Sequence, residues 1–215
     1  YDEIGADQNY EILKQRFPRT KRLHGVKGMI NALKQSAKLS DTGYFYAVFA
    51  KTQVHPSFKF VFQHDRLIVP SHYIFHCYNP VIDVTNGAMG IVLYNSKLVA
   101  DAESWDLDFT TSFPVKVVPQ VSCVAAYNVS PFQTWRTAFR ECVKLYSNCI
   151  ARSNPIDNKK MLDKWLSTGK GKFGKWSIQG ANDAVSYVDT QNNLDNIMDW
   201  QFLRKHFIET HGELD

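Results

Sequence analysis

HGVKGMINALKQSAKLSDTGYFYAVFAK, residues 24–51, is the stretch on which the reading of the fold turns. Gly28 opens a helix over 29–39, with Ile30, Leu33 and Ala37 on one side. Asp41-Thr42-Gly43 is a turn signal. Residues 44–49 form an apolar, aromatic run of strand length between turn residues. A short strand is also predicted over 21–26. A helix between two such runs predicts a βαβ unit and a parallel sheet.

Outward from this stretch the pattern changes twice. Upstream, a helix from Asp7 to about Phe17 places Tyr10, Leu13 and Phe17 at spacings of three and four, and Pro18 stops it. Downstream, strands are predicted at 58–62, 73–78, 90–94 and 115–118, separated by Pro, Asn and Gly. The last third reads as helical. Pro131 begins a helix with Trp135, Ala138, Phe139, Cys142, Val143 and Tyr146 on its apolar side. Pro155 starts another, with Met161, Leu162 and Trp165 apolar, and a final amphipathic helix holds Ile197, Trp200, Leu203 and Phe207. The expected organisation is an α/β core over 1–130 and a helical part over 131–215, packed as one domain.

Composition sets the outer bounds. The chain has 215 residues, 44% hydrophobic and 21% charged, which excludes wholesale disorder. No window approaches the ~18 uninterrupted apolar residues of a membrane span, so no membrane partner is expected. The net charge of +4 is too small to argue for nucleic acid by itself. Cys77, Cys123, Cys142 and Cys149 form no C-x-x-C pair and are expected to be reduced and buried, in an intracellular setting. Cys and His do not fall at zinc-ligand spacing. The opening Tyr1-Asp2-Glu3-Ile4-Gly5 carries no signal-peptide pattern and no initiator Met, as expected of a trimmed or internal segment.

Several stretches carry a family likeness: NYEILKQRFPRTKRLHGVKG (9–28), CYNPV (77–81), NGAMGIVLYN (86–95), DFTTS (108–112), PFQTWRTAFRECVKL (131–145), GKW (174–176), GA (180–181) and NIMDWQFL (196–203). Through them the chain resembles, over most of its length, a family of tailed-phage proteins described as glycosyltransferase-like. The resemblance implies a GT-A-like fold: a mixed, mainly parallel sheet flanked by helices, with a helical C-terminal third. It implies transfer of a sugar from a nucleotide donor, with DNA or a glycan as acceptor, other virion or larger-chain components as partners, and a host-cytoplasmic or virion location.

The chain departs from that pattern in two places. The family's strand ends in Asp-x-Asp, which holds a divalent metal against the donor diphosphate; here those positions read Phe49-Ala50-Lys51. Phe49 offers no oxygen ligand and Lys51 repels a cation, so no metal and no other cofactor is expected, and the nucleotide sugar is the substrate. The strand expected ahead of the Tyr1-Asp2-Glu3 segment is also missing. Two readings stay open. In one, Lys51 replaces the metal as a single positive charge on the phosphates; in the other, the site is inactive and the fold is a structural or binding module.

The remaining candidates each have a plain structural alternative. Lys27, between Gly25 and Gly28, places an ammonium and backbone N–H groups near a phosphate at a helix start, or is simply a turn. His24 stacks near the nucleotide or is structural. Asp2 and Glu3 fall where the family contacts base or ribose, unless the terminus frays. Asn86 and Asp108 match acceptor-side loops. Asp108 is the carboxylate to orient an acceptor hydroxyl or act as base, with Asp106 second, or it caps a local turn. Arg136 and Arg140 face a sugar phosphate or form a solvated polar stripe. GKGKFGK (169–175) touches phosphate or stays an exposed loop, and it lacks the Walker pattern. On the former reading the chain would be a nucleic-acid-binding accessory domain.

Overall fold

The computed structural model describes residues 3–64, 67, 69–103, 112–150 and 153–213, and it is a mixed α/β protein. The chain divides into two compact units. One takes the described residues of 3–79, 84–103 and 112–126; the other takes 80–83 and 127–213.

The first unit contains α1 (Ala6–Arg16), α2 (Met29–Lys38), β1 (Tyr44–Val48), β2 (Thr52–Val54), β3 (His72–Asn79), β4 (Val84–Asn95), α3 (Ser96–Asp101) and β5 (Val115–Ala125). The five strands form one sheet in the order β1-β4-β3-β5-β2. Among the described strands only β3–β5 is parallel; β1–β4, β3–β4 and β2–β5 are antiparallel. The sheet is mixed, as expected, but the expected mainly parallel pairing is corrected to a mainly antiparallel one. The reason is the connection: only four residues join β3 to β4, enough for a hairpin and far too few for a crossover. β1, β3 and β5 still run the same way, so their carboxyl ends share one edge of the sheet.

Two predicted strands do not form. Residues 21–26 are irregular and pair with no strand, while their cations are engaged locally: Arg22 pairs with Asp7 at 2.6 Å and the Lys21 ammonium donates to the Leu39 carbonyl. The βαβ unit is thus reduced to α2 and β1. Residues 58–62 also lack strand pairing, since Phe60 sits at φ 55, outside the extended range. Their alternation still works as packing. Phe58, Phe60 and Phe62 lie over Tyr46, Tyr73 and Phe75 of the sheet, with ring centroids 5.0–6.2 Å apart. Arg16 of α1 holds this cover down by donating to the carbonyls of His55, Pro56 and Phe58.

The second unit is helical: α4 (Pro131–Tyr146), α5 (Pro155–Ser167), α6 (Gly174–Thr190), a 3₁₀ turn (Asp195–Met198) and α7 (Trp200–His211). The helix starts follow from capping. Ser130 Oγ accepts from Gln133 N ahead of Pro131, and Asn154 Oδ1 accepts from Ile156 N ahead of Pro155. Asp199 caps α7 through Gln201 N and Phe202 N, which leaves Ile197 on the preceding 3₁₀ turn and not in the final helix. The sequence pattern does not announce α6, because its inward face is Ser177, Gly180, Ala181 and Ala184. Those small residues let α6 approach α4 so closely that a Cβ on Gly180 would stand 2.5 Å from the Trp135 carbonyl oxygen. Trp135, Ala138, Phe139 and Cys142 are fully buried, as their spacing predicts.

Candidate anion-binding groove

The glycines on either side of Lys27 both adopt left-handed backbone, with φ 70 at Gly25 and φ 85 at Gly28. Residues with a Cβ are strained there, so the glycines fix the path into α2. Asn31 Nδ2 donates to the Lys27 carbonyl at 3.2 Å and closes the loop onto the first helical turn. No side chain caps α2, which leaves the positive end of the helix to its surroundings.

Beside this loop lies an open groove of about 470 Å³, lined by Gly25, Val26, Lys27, Asn31, Lys34, Gln35 and Lys38. Three lysines and no carboxylate line it. Residues 31, 34 and 38 are spaced three and four apart, so they form one stripe along α2, with Lys27 in the loop that precedes it. The opposite face of α2 carries the buried Leu33. Lys34 and Lys38 escape a motif search, yet this spacing is the sequence signal that finds them.

The other predicted residues distribute as follows. Lys51 lies in the turn between β1 and β2, half-buried, with its carbonyl accepting from Ala126 N at 2.8 Å. α2 contacts β1 and is joined to it by a five-residue connection. Helix and strand are of similar length, so the start of α2 and the end of β1 lie toward the same edge. Lys51 does not itself line the groove. Asn86 is the register partner of Cys77 in the β3–β4 ladder, and the Lys51 charge also acts on Cys77. The structure therefore places Lys51 and Asn86 near the same strand residue, Cys77. His24 is exposed and acts on the Asp7–Arg22 ion pair, where the Arg22 hydrogen bond holds the Asp7 carboxyl below its usual range. Glu3 starts α1 through its carbonyl, which accepts from Ala6 N. Asp2, Asp106 and Asp108 lie outside the described residues.

One expectation in the second unit is corrected. Arg136 and Arg140 do not form a solvated stripe. Arg136 is buried, donates to Gln133 Oε1 at 2.9 Å and lies over the Phe132 ring, while Arg140 donates to Met198 Sδ. Both are engaged by the helices around them. The 169–175 loop is exposed at Lys170, Gly171, Lys172 and Lys175, and it is also tied down: Lys170 N donates to Val81 O, Lys170 Nζ pairs with Asp83 at 2.6 Å, and Asn128 bonds both Lys170 O and Phe173 N. Gly169 and Gly174 touch, backbone to backbone, with no room for a Cβ on either.

One polar node had no sequence signal. Asp183 accepts from Trp135 Nε1 at 2.6 Å, from Gln179 Nε2 at 2.9 Å and pairs with His211 Nε2 at 2.7 Å. Its members stand up to 76 positions apart in the chain (Trp135 to His211), so only folding assembles them. Among the described residues, no three His, Cys, Asp or Glu side chains are placed to hold a metal ion, and no helix is long and apolar enough to cross a membrane. No protein-family model, curated protein or solved structure matches the chain.

Proposed function

We propose that this chain is a GT-A-like, phage-type glycosyltransferase domain that takes the diphosphate of a nucleotide sugar onto lysines and not onto a metal. The observation that carries the reading is the groove along α2, where Lys27 in the preceding loop and Lys34 and Lys38 on the helix line one open space with no acid among them. A diphosphate is the ligand such a space favours, because several ammonium groups and a helix start all attract negative charge. The positions where the likeness would place metal-binding acids are Phe49 and Lys51, so the residues present do not fit a divalent ion. As the sugar–oxygen bond breaks, its electron pair passes to the diphosphate, and the cations stabilise that charge. The acceptor oxygen attacks the sugar carbon and gives its proton to a base, for which Asp108 is the candidate.

A second reading rests on the same two positions. Loss of both acids is the change expected if the fold now serves as a binding or structural module, within a virion or a larger chain. Calorimetric titration with nucleoside diphosphates and nucleotide sugars, with manganese or with chelator, separates the two. Binding that chelator leaves unchanged, followed by sugar release or transfer, supports the enzyme. Binding without turnover supports the module. Combined Lys27→Ala, Lys34→Ala and Lys38→Ala substitution should weaken binding on the order of a hundred-fold, at roughly 1 kcal/mol for each of the exposed phosphate contacts. Absence of nucleotide binding in the unsubstituted protein overturns the enzyme reading and favours the structural module.

A further inference from the structure

Cys77 and Cys123 are register partners in the one parallel pairing of the sheet, on adjacent strands β3 and β5. Neighbouring strands lie about 4.8 Å apart, inside the Cα separation that a disulfide spans. Both side chains belong to the core on one face of the sheet, at 3% and 0% exposure. They also converge. A Cβ placed on Gly90 would stand 2.5 Å from Cys123 Sγ and 3.3 Å from Cys77 Sγ. Glycine at 90 is what leaves room for two sulfurs there.

We infer that Cys77 and Cys123 are a buried redox dithiol that closes into a strand-bridging disulfide. The surroundings favour one direction of attack. Cys123 Sγ accepts from Ser122 Oγ at 3.4 Å, and the hydrogen bond from Cys77, then those from Ser122 and the Ile91 backbone, lower its pKa against the effect of burial. Cys77 keeps its proton, held by its hydrogen bond to Cys123 and by burial; Tyr78 O accepts from the same thiol at 3.7 Å. With a hydroperoxide as oxidant, Cys123 thiolate attacks the O–O bond and becomes a sulfenic acid, releasing water or an alcohol. Cys77 then attacks that sulfur, the S–S bond forms and a second water leaves. Two thiols lose two electrons and two protons, and the peroxide takes them up. The inference is independent of the nucleotide reading.

The test uses the full chain under native conditions, treated with hydrogen peroxide, then alkylated in denaturant, digested and weighed. The expected result is a fall in alkylatable thiols from four to two and a linked peptide pair containing Cys77 and Cys123, reversed by dithiothreitol. Cys149→Ser should leave that linkage intact, and Cys77→Ser should abolish it. Should Cys77→Ser fail to fold, the position of the linkage in the unsubstituted chain decides the matter. Recovery of both thiols unmodified overturns the inference, as does a linkage that appears only after unfolding or is shared equally with Cys142 and Cys149.

Discussion

The helical unit and the sheet unit bury aromatic residues by different routes. In the helical unit, α4 presents Phe132, Trp135 and Phe139 at helical spacing, and Trp135 stacks on Phe139 at 4.6 Å between centroids. The rings meet because one helix carries them. In the sheet unit, Phe58, Phe60 and Phe62 come from an irregular segment and meet Tyr46 and Phe75 from two strands. Polar groups differ in the same sense. Arg136 and Asp183 are consumed inside the helical unit, whereas the groove lysines and the Lys51–Cys77–Asn86 neighbourhood belong to the sheet unit. A core made by local periodicity closes on itself. One made by long-range pairing leaves loops at strand and helix ends, and there ligand chemistry collects.

The contrast can be tested from its strongest point downward. Trp135→Ala removes a fully buried ring and leaves Asp183 without its indole donor. The loss should be about 3–5 kcal/mol in guanidinium denaturation. If the sheet signals melt at the same denaturant concentration as the helical ones, the two units are one cooperative system. A lower midpoint for the helical signals alone shows that they unfold separately.

His72 probes the sheet unit. It is fully buried on β3, its Nδ1 accepts from Asn95 N at 3.0 Å, and burial lowers its pKa from 6.5 to about 4. The unfolded chain binds the proton near 6.5 and the folded one only near 4. Stability from this group is complete above about pH 6.5, declines as pH falls toward 4 and stays lost below. The full effect is about 3 kcal/mol. His72→Gln should be less stable at pH 7 and should lose less on acidification. Parallel pH profiles for the two proteins would remove His72 from the account.

Gly180→Ala should cost about 1–3 kcal/mol despite alanine's better helix propensity, because the new Cβ meets the Trp135 carbonyl and α4 must shift. Gly43→Ala, with nothing within 4 Å, is the matched control and should be near neutral by thermal melting. The smallest effect is at Lys159, paired with Asp163 at 3.4 Å on the surface of α5. Lys159→Ala should change stability by less than ~0.5 kcal/mol, and added salt should erase even that.

Much of this was legible without coordinates. The helices beginning at Pro131 and Pro155, the run at β1 and the cation between Gly25 and Gly28 are local signals: a cap, a period, a turn residue. α6 was not legible, because its inward face is made of small residues whose value lies in how closely α4 approaches. The 21–26 strand does not form, and its cations are engaged locally. At the candidate site the stripe 31, 34, 38 was readable as spacing, but the groove it lines was not.

Sequence alone determined the helices that begin at Pro131 and Pro155 and the extended run at β1, because those choices depend on residues within a few positions of each other. It also showed that positions 49 and 51 carry an aromatic ring and an ammonium and no carboxylate, since side-chain identity does not depend on the fold. Tertiary structure decided the mixed direction of the sheet, the meeting of Cys77 with Cys123 across β3 and β5, and the burial of Arg136. Each of these rests on which distant segments become neighbours, a matter of summed packing energies that no short window of residues contains.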